Sequence, residues 1–180
     1  MFSLLTFLSA LLFSAATASP LKVRSMCHPN FEGAILTVSN YGTIPAWSFK
    51  WTSNPAVGSP VIANTSASTW YFQQNGDADP TYTIKNVDNL LFAVELDGGK
   101  LIMDNVDWSG SNLDQKWKVE CASCTTDVAQ DTGVVAEGCN ISPASPSANE
   151  LCVGHTGYGS QLSLVTCPSE YGNFYFTVPD

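Results

Sequence analysis

Short apolar runs recur along the chain, and none of them after residue 26 keeps a 3.6-residue period for three turns. They are Ala34-Ile35-Leu36-Thr37-Val38, Trp70-Tyr71-Phe72, Tyr82-Thr83-Ile84-Lys85, Leu90-Leu91-Phe92-Ala93-Val94, Leu101-Ile102-Met103, Trp117-Lys118-Val119, Gln161-Leu162-Ser163-Leu164-Val165 and Phe174-Tyr175-Phe176-Thr177-Val178. All are short and rich in β-branched or aromatic residues, as strands are. Turn residues separate them, at Asn75-Gly76, Asp97-Gly98-Gly99, Ser109-Gly110 and Gly157-Tyr158-Gly159. The pattern predicts an all-β domain of many short strands. The turn-rich stretches 40–68 and 121–150 are expected as long loops.

Aromatic-rich runs close three successive blocks, 27–78, 79–120 and 121–180, at Trp70, Trp117 and Tyr175. A barrel of three pseudo-repeats closed by a layer of large side chains satisfies this spacing, because closure leaves no exposed strand edge. The alternative is a sandwich whose aromatics recur by chance.

The start of the chain differs in kind. Residues 2–18 carry no charge, contain the apolar run Leu4 to Phe13, and end in Ala16-Thr17-Ala18, a small-x-small cleavage pattern. Ser14, Thr17, Ser19 and Pro20 interrupt the run before it reaches the length of a membrane span. Residues 1–18 are therefore expected to be a signal peptide and 19–26 a short N-terminal or pro-segment. A single secreted, extracellular domain of residues 27–180 follows.

Secretion changes how the cysteines read. Cys27, Cys121, Cys124, Cys139, Cys152 and Cys167 are even in number and lie in the mature part, which points to three disulfides. Cys121-Ala122-Ser123-Cys124 also has the spacing of a zinc knuckle or a redox dithiol, but no second such pair and no His pair completes a tetrahedral set. Asn64-Thr65-Ser66 and Asn140-Ile141-Ser142 are N-glycosylation sequons, so a glycoprotein is expected. Seven Lys and Arg against sixteen Asp and Glu leave a net charge of -9, which repels phosphate backbones and anionic lipid. Nucleic acid and membrane insertion are excluded as expected partners.

Within the blocks the residues resemble the ricin B-type, or R-type, β-trefoil lectins. The middle block carries Tyr82-x-Ile84-x-Asn86, Leu90-Leu91, Gly98-Gly99-Lys100-Leu101-Ile102, Asp107-Trp108 and Gln115-Lys116-Trp117, the last similar to that family's Gln-x-Trp signature. In the last block, Glu150-Leu151-Cys152-Val153 and Leu162 to Cys167 look like the two strands that such a repeat ties together, which implies a Cys152–Cys167 bridge. Three pairings remain open for Cys27, Cys121, Cys124 and Cys139. In the first block Ser68 stands where the signature has Gln; in the third, Asn173 and Tyr175 replace Gln and Trp.

The resemblance implies a β-trefoil and a shallow carbohydrate site. Such a site combines a carboxylate, an aromatic face and a side-chain amide. The family's sugar-clamping aspartate falls on Ala93 or Val94 in the middle block and on Gly154 in the last, none with an acceptor side chain. Glu95 is expected to serve only if the strand slips or bulges. The middle block is otherwise the best furnished, with Trp108 as stacking platform and Asp107, Asn112 and Gln115 as hydrogen-bonding groups. Read from the residues alone, Gln115 and Trp117 also suit the core, and the Asp and Asn cluster a solvated loop or weak calcium site. No catalytic motif stands out, so no enzyme, cofactor or metal is expected, and His155 beside Ser160 reads as a turn residue. The partner is expected to be a glycan. The alternative is a secreted protein, bound through the long loops as a protease inhibitor would bind it.

Overall fold

A computed structural model of the chain describes residues 26–41, 48–126, 128–148, 150–167 and 173–179, so the expected signal peptide lies outside the described residues. Among the described residues, thirteen antiparallel strands and three single-turn 3-10 segments form the regular structure. The strands are β1 (Ile35–Tyr41), β2 (Ser48–Thr52), β3 (Ile62–Asn64), β4 (Trp70–Gln74), β5 (Tyr82–Asn86), β6 (Phe92–Asp97), β7 (Lys100–Asn105), β8 (Trp117–Glu120), β9 (Ser123–Cys124), β10 (Gly133–Pro143), β11 (Leu151–Gly154), β12 (Ser163–Thr166) and β13 (Phe174–Val178). No helix among the described residues is long and apolar enough to cross a membrane.

Six of these strands close on themselves. β1 pairs with β4, β4 with β5, β5 with β8, β8 with β10, β10 with β13, and β13 returns to β1. Closure follows from alternation. Trp70 and Phe72 of β4, Trp117 and Val119 of β8, and Phe174 and Phe176 of β13 all point inward and are fully buried, since side chains two apart share a strand face. The third member of the upper layer is therefore Phe174 and not Tyr175, which lies between the two inward residues of β13. Phe31, at van der Waals distance from Phe72, Tyr82 and Phe176 with ring centroids 4.5 to 5.7 Å apart, plugs the other end.

Three hairpins, β2–β3, β6–β7 and β11–β12, stand off the ring and meet one another. Their meeting point is a cycle of backbone bonds: Val61 N–H to the Leu101 carbonyl at 3.0 Å, Leu101 N–H to Leu162 at 2.9 Å, and Leu162 N–H back to Val61 at 2.8 Å. All three residues are fully buried. One residue from each block thus occupies an equivalent position.

Several sequence expectations need correction. The stretches 40–68 and 121–150 contain β2, β3, β9 and the eleven-residue β10. β10 escapes a propensity reading because it contains Gly133, Gly138, Asn140 and Pro143, residues depleted in strands. It is held by ring neighbours on both sides, with register shifts between Val134 and Ala136 and between Ala136 and Cys139. Gly138, at φ 64°, sits at the second shift, and a Cβ there would lie 2.9 Å from the Ala122 Cβ. Leu90 and Leu91, read as strand, are an exposed turn ahead of β6.

All six cysteines are oxidised, in the pairs Cys27–Cys124, Cys121–Cys139 and Cys152–Cys167. The two cysteines of the CxxC segment have different partners, so that segment is neither a dithiol pair nor a metal knuckle. Cys27–Cys124 ties the segment before β1 to β9 across 97 residues of chain.

Candidate functional site

The connection from β7 to β8, residues 106–116, gathers the candidate residues on one polar loop. Asp107 organises it. One carboxylate oxygen accepts the Ser109 N–H at 2.9 Å and the Ser109 hydroxyl at 2.6 Å. The other accepts the backbone N–H of Ser111 at 2.8 Å and of Asn112 at 2.7 Å, with the Ser111 hydroxyl at 3.3 Å. These donors favour the anion, so they hold the Asp107 carboxyl well below the usual carboxylate range, the Ser109 hydroxyl contributing most. Gly110, at φ 67°, lets the chain turn tightly enough to bring the donors round.

Gln115 anchors the loop to the hairpin beneath. Its Oε1 accepts the Asp107 N–H at 2.8 Å, and its Nε2 donates to the Asn105 carbonyl at 2.7 Å and to Glu95 Oε2 at 2.8 Å. Asn112 Nδ2 donates to the same Glu95 oxygen at 3.0 Å, while Asn112 Oδ1 caps the 3-10 turn Leu113–Gln115 by accepting the Asp114 N–H. Two side-chain amides therefore clamp one carboxylate. Glu95 reaches them without any slip or bulge: β6 and β7 pair in unbroken register from Phe92↔Asn105 to Asp97↔Lys100. No slip is needed for this contact because the loop folds over the hairpin and comes to Glu95, while Val94 faces the core. Two residues beyond Gln115, the Trp117 indole N–H donates to the Val94 carbonyl at 3.0 Å, completing the attachment.

Trp108 stands above this network, 71% exposed. The Lys85 ammonium of β5 lies 4.4 Å from its ring centroid. Lys85 itself is only 5% exposed, and burial pushes its pKa down from the ordinary lysine value. Sequence reading missed this residue. Ile84, Lys85 and Asn86 are buried in succession, which breaks the alternation that would have marked one of them as facing a partner.

The four expected site residues thus come together but divide in role. Trp108 is open to solvent and Asn112 is half-buried; Asp107 is saturated by its own loop; Gln115 is buried at 3% exposure with both amide atoms engaged. Elsewhere, the Ser160 hydroxyl donates to the Gly157 carbonyl at 2.6 Å in its own turn, and His155 packs edge-on against Phe49 at 4.9 Å. Asn64 ends β3 ahead of an exposed turn, and Asn140 lies on β10 opposite Glu120, with its side chain turned away from the inward Ile141. The molecule is, by its architecture, an all-β, disulfide-tied chain with one preorganised polar loop carrying an exposed indole. No protein-family model matches the chain, and no curated protein matches it in sequence.

Proposed function

We propose that this is a secreted β-trefoil domain of the ricin B type that binds carbohydrate through the β7–β8 loop. The six-strand ring and the three hairpins joined by a cyclic set of bonds, with two ring strands and one hairpin from each block, support the trefoil reading. Three disulfides suit an oxidising compartment and so support secretion, together with the signal-like N-terminus.

One observation carries the sugar reading: an exposed indole on a hydrogen-bonded loop beside a carboxylate clamped by two amides. A pyranose has an apolar C–H face, which an indole covers, and a rim of hydroxyls, which need acceptors and donors fixed in advance. The carboxylate for this task is Glu95 and not Asp107. Its Oε2 is already oriented by Asn112 and Gln115, while Oε1 takes no hydrogen bond among the described residues. Asn112 has a second amide hydrogen to offer. Gln115 is a positioning residue, since its donors and acceptor are spent on Glu95, Asn105 and Asp107. A single site this shallow binds weakly, so clustered glycans are the natural target.

A glycan array probed with the purified mature protein, alone and as Trp108→Ala, tests the proposal. Binding to a saccharide that disappears in a variant of unchanged thermal stability supports it. A silent array, even with the protein multimerised, overturns it, and inhibition of an endopeptidase by the same preparation would replace it with the inhibitor reading.

A further inference from the structure

Among the described residues Lys85 forms no ion pair and no side-chain hydrogen bond; the ion pair present joins Lys116 to Asp77 at 3.2 Å. Lys85 is 5% exposed as a residue, but its Nζ is not among the buried polar atoms left without a partner, so its stem is buried and its exposure lies at the ammonium. Here its one close electrostatic partner is the Trp108 ring face, 4.4 Å away. Lys85 is the fourth of the five residues of β5, opposite Tyr71 of β4 and Ala93 of β6, so neither cross-strand neighbour carries a charge that would draw the amine aside. Asp107 uses both carboxylate oxygens within the loop, and Glu95 Oε2 faces the two amides.

The arrangement has two physical consequences. An exposed indole at a loop tip ordinarily moves among rotamers, whereas a cation behind the ring favours the one in which the π face covers it. The backbone is held by Asp107 and the ring by Lys85. In addition, a ligand stacked on the outer face places its atoms about 8 Å from the ammonium, the 4.4 Å to the centroid plus a stacking distance of about 4 Å. At that range the field of the ammonium acts through the ring and is only partly screened. The ammonium's own contribution disfavours a positive charge on the ligand, against the attraction of the Glu95 and Asp107 carboxylates at the same loop.

We infer that Lys85 is the specificity residue of the Trp108 platform: it holds the indole from behind and shifts the outer face away from cationic amino sugars toward neutral saccharides. This rests on the carbohydrate reading of the loop, but its first test does not need a ligand. Trp108 emission, taken as the difference between the wild-type protein and Trp108→Phe, is quenched by iodide and by caesium. The ammonium behind the ring raises iodide access relative to caesium. Lys85→Met, which keeps the apolar stem, should lower the iodide-to-caesium quenching ratio about twofold, and Lys85→Arg should restore it, since guanidinium also pairs with an indole face. An unchanged ratio in a Lys85→Met protein that melts as the wild type overturns the inference, whatever the array shows.

The second test compares a chitin oligomer with its cationic, de-N-acetylated counterpart. The ratio of neutral-oligomer to cationic-oligomer affinity should fall about threefold in Lys85→Met, the size expected from one charge at about 8 Å in a largely aqueous surround, and return in Lys85→Arg. A preference that is the same in all three proteins overturns the specificity role. If neither oligomer nor any other saccharide binds, the carbohydrate reading fails while the quenching result still decides whether Lys85 sets the ring.

Discussion

The first and middle blocks use one device with different chemistry. In each, the residue after a core position on the second strand bonds to the residue two before the ring aromatic. In the first block Thr52 follows buried Trp51, and its hydroxyl lies 3.1 Å from that of Ser68, two before Trp70. In the middle block Glu95 follows buried Val94 and meets Gln115, two before Trp117, at 2.8 Å. The hydroxyl pair is short and sits against its own turn, with Ser68 also accepting the Ser53 N–H at 3.2 Å. The carboxylate–amide pair is long, reaches the outer surface, and recruits Asn112 and the backbone of Asp107. A locking position became a binding candidate only where the side chains were long enough to extend beyond the lock. In the third block Gly154 stands at the position of Thr52 and Glu95, and has nothing to contribute.

The two tryptophans also differ. Trp117 donates its indole N–H to Val94, whereas no partner is found among the described residues for the buried Trp70 N–H. Replacing either by Ala should destabilise the protein by about 3–5 kcal/mol, the usual cost of removing a large core aromatic. Phe separates them: Trp117→Phe should cost about 1 kcal/mol more than Trp70→Phe, because only the former loses a hydrogen bond. Equal losses in urea unfolding would erase the distinction.

Next in size is Glu95→Ala, which leaves the Asn112 and Gln115 amides without their shared acceptor and should cost about 2 kcal/mol. Thr52→Val, its counterpart, removes one hydroxyl pair and should cost about 1 kcal/mol or less. If the two effects were reversed, the polar clamp would not be what secures the middle loop.

Acid response sharpens the comparison further. Because the folded-state pKa of Asp107 is depressed, its contribution is present above the unfolded carboxylate value of about 4 and is lost as pH falls below that. Thermal melts of Asp107→Asn should therefore depend less on pH than wild-type melts below about pH 4. His155 acts in a higher window. Burial lowers its folded-state pKa, so the unfolded chain takes up the proton more readily, and stability falls as pH drops below about 6.5. His155→Phe should flatten the profile between about pH 5 and 7, a small effect visible in paired urea titrations.

Much of the ring was legible in the sequence. β1, β4, β5, β8 and β13 coincide with short runs whose inward residues are aromatic or aliphatic. β10 was not, because its glycines, Asn140 and Pro143 oppose a strand locally and only pairing on both sides overrides them. The aromatic layer was read correctly at Trp70 and Trp117 but one residue late at Tyr175, since the run Phe174-Tyr175-Phe176 offers three aromatics and the sequence does not say which phase faces inward. For the site, the loop's composition drew attention to Asp107, Trp108, Asn112 and Gln115. It could not show that Asp107 would be consumed by its own turn, nor that Glu95 and Lys85, on two different strands, would meet the loop from below.

Alternation and turn chemistry, which are local, were enough to specify the all-β class, many of the strands and the polar character of the 106–116 loop. Partner choice was decided only in three dimensions: which cysteines joined, which residues entered the Val61–Leu101–Leu162 cycle, and which carboxylate the loop amides took up. The physical reason is that hydrogen bonds, disulfides and cation–π contacts act over a few ångströms between groups far apart in the chain. Such pairings are made by the closure of the ring, and local propensity carries no record of them.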